Sequence, residues 1–80
     1  MSRLFLGNIP FGSSEDDVRA WMQAEGFRIA SIDLIHDRAT GQFRGFGFVT
    51  LADESQAKIA VESLNHKRMG ARLITIGHAV

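Results

Sequence analysis

Apolar and polar positions alternate with a period of two over residues 44–51, whose sequence is RGFGFVTL. Successive side chains of a β-strand point to opposite faces, so this alternation predicts a strand with two different faces. One face holds small and then apolar residues, which suits a sheet covered by helices: Gly45, Gly47, Val49 and Leu51. The other face holds two phenylalanines beside an arginine: Arg44, Phe46, Phe48 and Thr50. A soluble domain rarely leaves two large rings on an open face, so this face predicts a flat, π-rich, negatively charged partner.

Three further segments have the composition of strands, at residues 3–9, 29–36 and 72–77. In the first segment, the alternation separates the leucines from Phe5, which takes the opposite face. In the second, it places Asp33 on the same face as the phenylalanines. We expect six residues of these strands to face the core: Leu4, Leu6, Ile32, Leu34, Ile74 and Ile76.

Two segments have the spacing of amphipathic helices. Ser14 is typical of an N-cap and Gly26 of a helix stop, so the first helix is expected between them. Asp53, with Gln56 three residues later, resembles a capping box, and the second helix is expected to run from there to Asn65. Apolar residues three and four positions apart form one stripe on each helix: Val18, Trp21 and Met22 on the first, and Ala57, Ala60, Val61 and Leu64 on the second.

The predicted order of elements is β-α-β-β-α-β, and both helices need the same face of the sheet. This order is typical of an α+β, ferredoxin-like two-layer sandwich, and a single domain over residues 1–80 accommodates it. Gly45 and Gly47 are expected to let a helix approach the sheet closely. The opposite face of the sheet is left open for function.

Composition narrows the classes of function. The formal net charge is zero, so a nucleic-acid partner has to be held by local charge asymmetry rather than by bulk charge. Acidic residues concentrate on the predicted helices, whereas six of the nine basic residues fall on strands or the loops beside them: Arg3, Arg38, Arg44, Lys67, Arg68 and Arg72. The chain has no cysteine and its three histidines lie on separate elements, so we expect neither a metal nor another cofactor. No apolar run approaches the ~18 residues of a membrane span, and we expect an intracellular monomer.

The segment RGFGFVTL resembles the octamer of the RNA-recognition motif family, K/R-G-F/Y-G/A-F-V-x-F/Y. It differs only at the last position, where Leu51 replaces an aromatic residue. That position faces the core, so the difference is expected to affect binding hardly at all. The segment LFLGNI, residues 4–9, resembles the companion hexamer of the same family, and the spacing of the two motifs also fits. The resemblance covers the chain from Arg3 to about Ala79.

This resemblance implies a four-stranded antiparallel sheet in the order 4-1-3-2, which brings three phenylalanines onto one aromatic face. It implies binding of single-stranded RNA, with Phe5 and Phe48 each stacked under a base and Phe46 against a sugar. It also implies a phosphate contact for Arg44. Further contacts to RNA are expected from the polar residues around the rings and from the backbone beyond the last strand: Arg3, Asn8, Asp33, Gly77 and His78. Asn8 is equally compatible with holding the end of its strand by hydrogen bonding.

With only ~2–4 phosphates neutralised, the dependence of affinity on salt is expected to be shallow and the affinity micromolar. The role implied is that of a post-transcriptional RNA-binding protein or RNA chaperone. A chain of this size resembles small single-domain proteins of the bacterial cytoplasm, and a nuclear or organellar location in a eukaryote is the alternative.

Three other functions compete with this one. A protein partner on the helical face is retained as a second role, because Ile59 falls outside the second apolar stripe. The loop KRMG, residues 67–70, lacks the Arg-x-Phe that peptide-binding relatives carry. An acylphosphatase-like hydrolase on this fold needs an arginine and an asparagine in the turn at residues 10–14, which contains neither, so no catalysis and no small-molecule substrate are expected. Single-stranded DNA stays an alternative ligand, since base stacking does not distinguish the two sugars.

Overall fold

The computed structural model describes residues 3–79, so residues 1, 2 and 80 of the predicted domain lie outside the described part. The elements in chain order are β1 (Arg3–Gly7), α1 (Glu15–Ala24), β2 (Ile29–His36), β3 (Phe43–Leu51), α2 (Ala57–Leu64), β4 (Arg68–Met69), β5 (Arg72–Leu73) and β6 (Thr75–Ala79). Four strands form one antiparallel sheet in the order β2-β3-β1-β6. With β6 as the fourth predicted strand, this order confirms the predicted ferredoxin-like topology.

The core lies between this sheet and the two helices. The residues predicted to face inward on the strands are buried there, apart from Ile32, which is partly buried against the same cluster. The helical stripes meet them, with Val18, Met22, Ala60 and Leu64 fully shielded from solvent. Within residues 3–79, none of the buried side chains is polar or charged. The core is therefore stabilised by apolar burial on one face of the sheet only.

Local capping fixes α1 where the sequence predicts it. The Ser14 hydroxyl accepts a hydrogen bond from the Asp17 N–H at 3.1 Å, and the Asp17 carboxylate accepts one from the Ser14 N–H at 2.9 Å. Gly26, with φ of +95°, follows the helix in the left-handed conformation that glycine adopts readily. Trp21 is half-buried, and its indole N–H donates to the Arg68 carbonyl at 3.0 Å, which ties α1 to the segment that carries β4.

The start of α2 differs from the prediction. The Asp53 carboxylate accepts hydrogen bonds from the N–H and the hydroxyl of Ser55, at 3.0 and 2.6 Å, rather than from Gln56. It therefore caps a short 3₁₀ turn, Glu54–Gln56, and α2 begins after that turn without a side-chain cap. The predicted capping box is wrong here because the Gln56 N–H donates to the backbone carbonyl of Asp53, at 3.1 Å, rather than to its carboxylate. Asn65 caps the C-terminus of α2, as predicted.

The predicted last strand, residues 72–77, is divided in the structure. Its first two residues form β5, which pairs with β4 in a separate two-stranded sheet. Two backbone hydrogen bonds close this hairpin, from the His66 N–H to the Ile74 carbonyl at 2.6 Å and from the Ile74 N–H to the Lys67 carbonyl at 2.8 Å. Only β6 continues in the main sheet, beside β1. The single predicted strand is wrong because pairing with β4 draws β5 away from the sheet.

The two glycines of β3 approach strand and turn backbone rather than a helix. A Cβ atom at Gly47 would lie 2.6 Å from the carbonyl oxygen of Asp33 on β2. Gly45 has φ of +83°, and a Cβ there would lie 3.6 Å from the carbonyl oxygen of Ile9 and 3.8 Å from the Phe11 ring. The expected approach of a helix is therefore wrong. Gly47 needs glycine because the backbone of β2 occupies the space of a side chain, whereas Gly45 needs it because of its positive φ.

Candidate nucleic-acid interface

One row of directly paired residues crosses the main sheet from edge to edge. Asp33 on β2 pairs with Phe48 on β3, Phe48 pairs with Phe5 on β1, and Phe5 pairs with Gly77 on β6. Directly opposed residues of antiparallel strands project from the same face, so the row lies on the face opposite the core. It begins with a carboxylate, continues with two rings and ends at Gly77, where a Cβ would meet nothing within 4 Å.

Three phenylalanines form a triangle on this open face. The ring centroids of Phe5 and Phe46 are 5.9 Å apart, those of Phe5 and Phe48 are 6.0 Å apart, and those of Phe46 and Phe48 are 6.4 Å apart. These separations fall in the range in which aromatic pairs attract. The rings are half-buried by one another and by the strands, and the rest of their surface faces solvent. The structure therefore brings together the three rings that the sequence predicts, which we call the aromatic platform.

Cations border the aromatic platform. The Arg3 guanidinium carbon lies 4.4 Å from the centroid of the Phe48 ring, within the range of a cation–π interaction. Arg44 is exposed at the opposite border, beside Phe46. The pKa of Asp37 is lowered, first by the backbone N–H groups of Ala39 and Thr40 and to a smaller extent by the positive charge of Arg44. Arg44 is therefore near both the platform and the carboxylate of the β2–β3 loop.

Asn8 already has partners within the fold. Its side-chain amide donates to the Leu73 carbonyl at 2.9 Å, and its amide oxygen accepts from the Arg72 guanidinium at 2.7 Å. With φ of 59°, its backbone adopts the left-handed conformation that asparagine tolerates better than most residues. These bonds join the end of β1 to β5. They agree with the strand-end role, and a contact of Asn8 with RNA stays a prediction.

His78 lies on a different side of the sheet from the platform. It pairs with Leu4, whereas its neighbour Gly77 pairs with Phe5. Its imidazole therefore projects from the face that carries Leu4, although it is exposed near the end of β6. Only the backbone of His78 is available to a ligand on the aromatic face, which is also the part of this segment that the family resemblance implies.

The platform is also bordered by two residues that were not predicted to belong to the site, Phe11 and Arg72. The Phe11 ring is 64 % exposed, and the Arg72 guanidinium carbon lies 5.4 Å from its centroid. Both line a shallow depression of about 340 Å³ that also contains Asn8 and Arg44 and reaches the platform. The sequence did contain one signal for Phe11, because an aromatic residue next to Pro10 is unusual in an otherwise polar turn. Its position over β3 depends on a tertiary contact that the sequence does not show.

Two other kinds of site find no support in the described part of the chain. Among residues 3–79, no group of three or more histidine, aspartate or glutamate side chains is placed to hold a metal ion. In the same residues, no helix is long and apolar enough to cross a membrane.

The fold and the aromatic face define a small α+β domain with helices on one face of its sheet and an open second face. The family model described as RNA recognition motif matches residues 4–75, which is most of the chain. The chain therefore belongs to the RNA recognition motif family, and it is a binding domain of that family rather than an enzyme.

Relatives and solved structures agree with this family. The chain is 36 % identical over 77 residues to glycine-rich RNA-binding protein 8 of Arabidopsis thaliana, covering 96 % of this chain and 45 % of that protein. It is 34 % identical over 77 residues to the chloroplastic 31 kDa ribonucleoprotein of Nicotiana sylvestris, covering 96 % of this chain and 24 % of the relative. The chain thus spans less than half the length of these two relatives.

Among solved structures, the RNA binding protein PG1 superimposes with a TM-score of 0.87 at 32 % identity, covering 100 % of this chain and 95 % of the other. The structure of the Rna15 RRM with bound RNA (GU) has a TM-score of 0.80 at 25 % identity, covering 96 % of this chain and 81 % of the other.

Proposed function

We propose that this domain binds single-stranded RNA by stacking unpaired bases on the aromatic platform. The observation that carries the proposal is the triangle of Phe5, Phe46 and Phe48 on the sheet face opposite both helices. Each base stacked on an aromatic side chain contributes ~1–3 kcal/mol as measured by alanine substitution. Membership of the family and the RNA-bound structure of a relative support RNA as the ligand.

Within this proposal each residue has a defined role. Phe5 and Phe48 stack under successive bases, and Phe46 packs against a sugar. Arg44 contacts a phosphate through its fork of donors. Arg3, which lies over the Phe48 ring in the free protein, either stacks on the far side of the incoming base or moves aside.

The edges of the platform supply polar contacts. Asp33 continues the paired row beyond Phe48, so its carboxylate accepts hydrogen bonds from a base edge or a sugar hydroxyl. At the other end, the absence of a side chain at Gly77 leaves room for a base beside Phe5. The backbone of His78 and the amide of Asn8 complete the proposed set.

The broader role follows from this mechanism. Because the proposed mechanism binds RNA without chemistry, we propose a post-transcriptional RNA-binding protein or RNA chaperone. We also propose that residues 1–80 form a single domain and act as a monomer, in the cytoplasm of a bacterium or in the nucleus or an organelle of a eukaryote. The chloroplastic relative agrees with the organellar alternative.

The test is fluorescence anisotropy of a labelled, fully degenerate short RNA at low and at physiological salt. The variant is the double substitution Phe46→Ala and Phe48→Ala, checked for folding by thermal unfolding. The matched control is Ile59→Ala, which removes an exposed aliphatic side chain from α2 on the far side of the domain. We expect the double variant to lose roughly 2 kcal/mol or more of binding free energy and the control to lose nothing.

Equal binding by the double variant and the wild type would refute the platform. In that case a protein partner on the helical side, around Ile59, becomes the better hypothesis. The same titration with DNA of matched length decides whether the sugar is distinguished. The logarithm of the binding constant falls with the logarithm of salt concentration by about 0.7 per phosphate contacted. The measured slope therefore gives the number of phosphate contacts that the arginines make.

A further inference from the structure

A depression of about 340 Å³ adjoins the aromatic platform at the end of β1. Phe5 and Phe46 form its platform side, and the turn after β1 and the hairpin of β4 and β5 contribute Phe11 and Arg72. The segments that build it are far apart in the sequence and meet here through two contacts. The Ile9 N–H donates to the Gly45 carbonyl at 2.9 Å, and Asn8 bonds to β5 as described above.

Phe11 is held in place although it is not part of the core. The turn is closed by a hydrogen bond from the Ser13 N–H to the Pro10 carbonyl at 3.0 Å. The Phe11 ring lies over β3 at Gly45, 3.8 Å from the position that a Cβ of this residue would take. With 64 % of its surface exposed, the ring gains little from burial. A large apolar ring fixed in this way at the border of a binding face has a free surface available for stacking.

The charges of the depression are of one sign. Two guanidinium groups line it, from Arg44 and Arg72, and none of the carboxylates in the described part of the chain does. Arg72 is oriented by the Asn8 amide oxygen at 2.7 Å and by the Phe11 ring, 5.4 Å from its centroid. Only part of its fork of donors is used by Asn8, so donors remain for an anion. A cationic depression with an adjoining ring fits a phosphate and its base.

We propose that this depression holds one nucleotide of the RNA strand beyond those on the aromatic platform, with its phosphate between Arg44 and Arg72 and its base against Phe11. The inference rests on the proposed function, because the strand reaches the depression from the platform. It assigns Phe11 and Arg72 to the RNA site. It also explains why the asparagine that ends β1 bonds to Arg72: Asn8 positions a phosphate ligand.

The experiment measures affinity against RNA length, using fully degenerate RNA pools of three to eight nucleotides. The proteins compared are the wild type, Phe11→Ala, Arg72→Gln, the Phe46→Ala and Phe48→Ala double variant, and the control Ile59→Ala. For the wild type and the control, adding the nucleotide that reaches the depression is expected to raise affinity by about fivefold or more, as one additional stacked base does. Phe11→Ala is expected to lose this step, so that its ratio of long-RNA to short-RNA affinity falls towards one.

Arg72→Gln tests the phosphate. It keeps a side chain that can bond to Asn8 but removes the charge, so we expect the salt slope for the long pool to decrease by about 0.7. The slope for the shortest pool serves as the reference. Thermal unfolding checks that each variant is folded, which is expected for Phe11→Ala because the ring is largely exposed.

The outcomes separate the two proposals. If the platform variant loses binding but Phe11→Ala and Arg72→Gln keep the length step and the salt slope, this inference is overturned and the proposed function stands. If the platform variant binds every pool as well as the wild type does, the proposed function is overturned, and this inference with it. Loss of the length step in Phe11→Ala together with the smaller slope in Arg72→Gln supports the nucleotide site.

Discussion

The two faces of the main sheet are built from the same strands and have opposite properties. On β1, Leu4 and Leu6 are fully buried against the helices, whereas Phe5 between them is only half-buried. On β3, Val49 is buried and its neighbour Phe48 is not. The difference arises only from the alternation of side chains along a strand. Adjacent residues of one strand therefore serve different ends, one stabilising the core and the next belonging to the proposed binding face.

The faces also differ in how tightly side chains are constrained. The core face is closed by helices, so a change of volume there alters packing with few ways to relax. The platform rings contact one another at about 6 Å and leave the rest of their surface to solvent. A substitution on the open face should consequently affect ligand affinity more than folding, and a substitution on the core face should do the reverse.

The largest effect on stability is expected from a pair of substitutions at neighbouring residues, Leu4→Ala and Phe5→Ala. Leu4 is fully buried, and its truncation is expected to lower the free energy of unfolding by about 2–5 kcal/mol. Phe5 is only half-buried, and its truncation is expected to cost about 1 kcal/mol, roughly half the value for full burial. Urea unfolding measures both variants. Equal losses would mean that the platform belongs to the core after all.

The next largest effect on stability is expected from replacing a glycine on the core face, with a glycine on the open face as the comparison. In Gly47→Ala, the new methyl group would lie 2.6 Å from a carbonyl oxygen of β2 and 2.9 Å from the Leu34 side chain. Backbone has to shift to accommodate it, so we expect a loss of about 1–3 kcal/mol of unfolding free energy. Gly77→Ala is the matched control, because its methyl group meets nothing within 4 Å on the open face, and it should stay within about 0.5 kcal/mol of the wild type. A stable Gly47→Ala protein would contradict the close pairing of β2 and β3.

Asn8 lies at the border of the platform, and its substitution tests whether this residue acts mainly on stability or mainly on RNA binding. Asn8→Gly keeps the left-handed backbone conformation, with φ of 59°, and removes both side-chain hydrogen bonds. We expect a loss of about 0.5–1.5 kcal/mol of unfolding free energy, measured by urea unfolding, because these bonds join β1 to β5. Unchanged stability together with weaker RNA binding would show instead that Asn8 acts mainly on the ligand.

Local physics makes much of this molecule predictable. Strand periodicity separates the core face from the aromatic face, and it places Phe5, Phe46 and Phe48 on the side away from the leucines. The cap at Ser14 and the stop at Gly26 follow from hydrogen bonds and backbone preferences within a few residues. Each of these signals is contained in a short segment, so the sequence alone determines it.

The remaining features depend on contacts between distant segments. The division of residues 72–77 into β5 and β6 requires pairing with β4. The packing of Ile9 and Phe11 against β3 at Gly45 joins segments more than thirty residues apart. The same meeting of segments creates the depression at Arg72. Neither periodicity nor propensity contains this information, so the platform with Arg3 and Arg44 could be predicted, whereas Phe11 and Arg72 at its border could not.

The smallest expected effect is on the pH dependence of stability, through two aspartates: Asp37 in the β2–β3 loop and Asp53 before α2. The Asp37 carboxylate accepts hydrogen bonds from the Ala39 and Thr40 N–H groups at 2.8 and 3.1 Å, which hold its pKa below the usual 3.8. The hydroxyl and N–H of Ser55 lower the pKa of Asp53 in the same way. A lowered folded-state pKa stabilises the fold fully above pH 3.8. That stabilisation is lost as the pH falls through the folded-state value.

Asp37→Asn and Asp53→Asn each keep an acceptor oxygen but do not titrate. We expect each variant to unfold at a slightly lower temperature than the wild type near neutral pH and to approach it below pH 3.8, in a thermal unfolding series from neutral to acidic pH. The effect is small because both carboxylates are fully exposed and solvent screens them. Only Asp37→Asn should also alter RNA affinity, raising it slightly, because it removes a negative charge near Arg44. An equal rise in Asp53→Asn would mean that the gain comes from net charge rather than from the border of the platform.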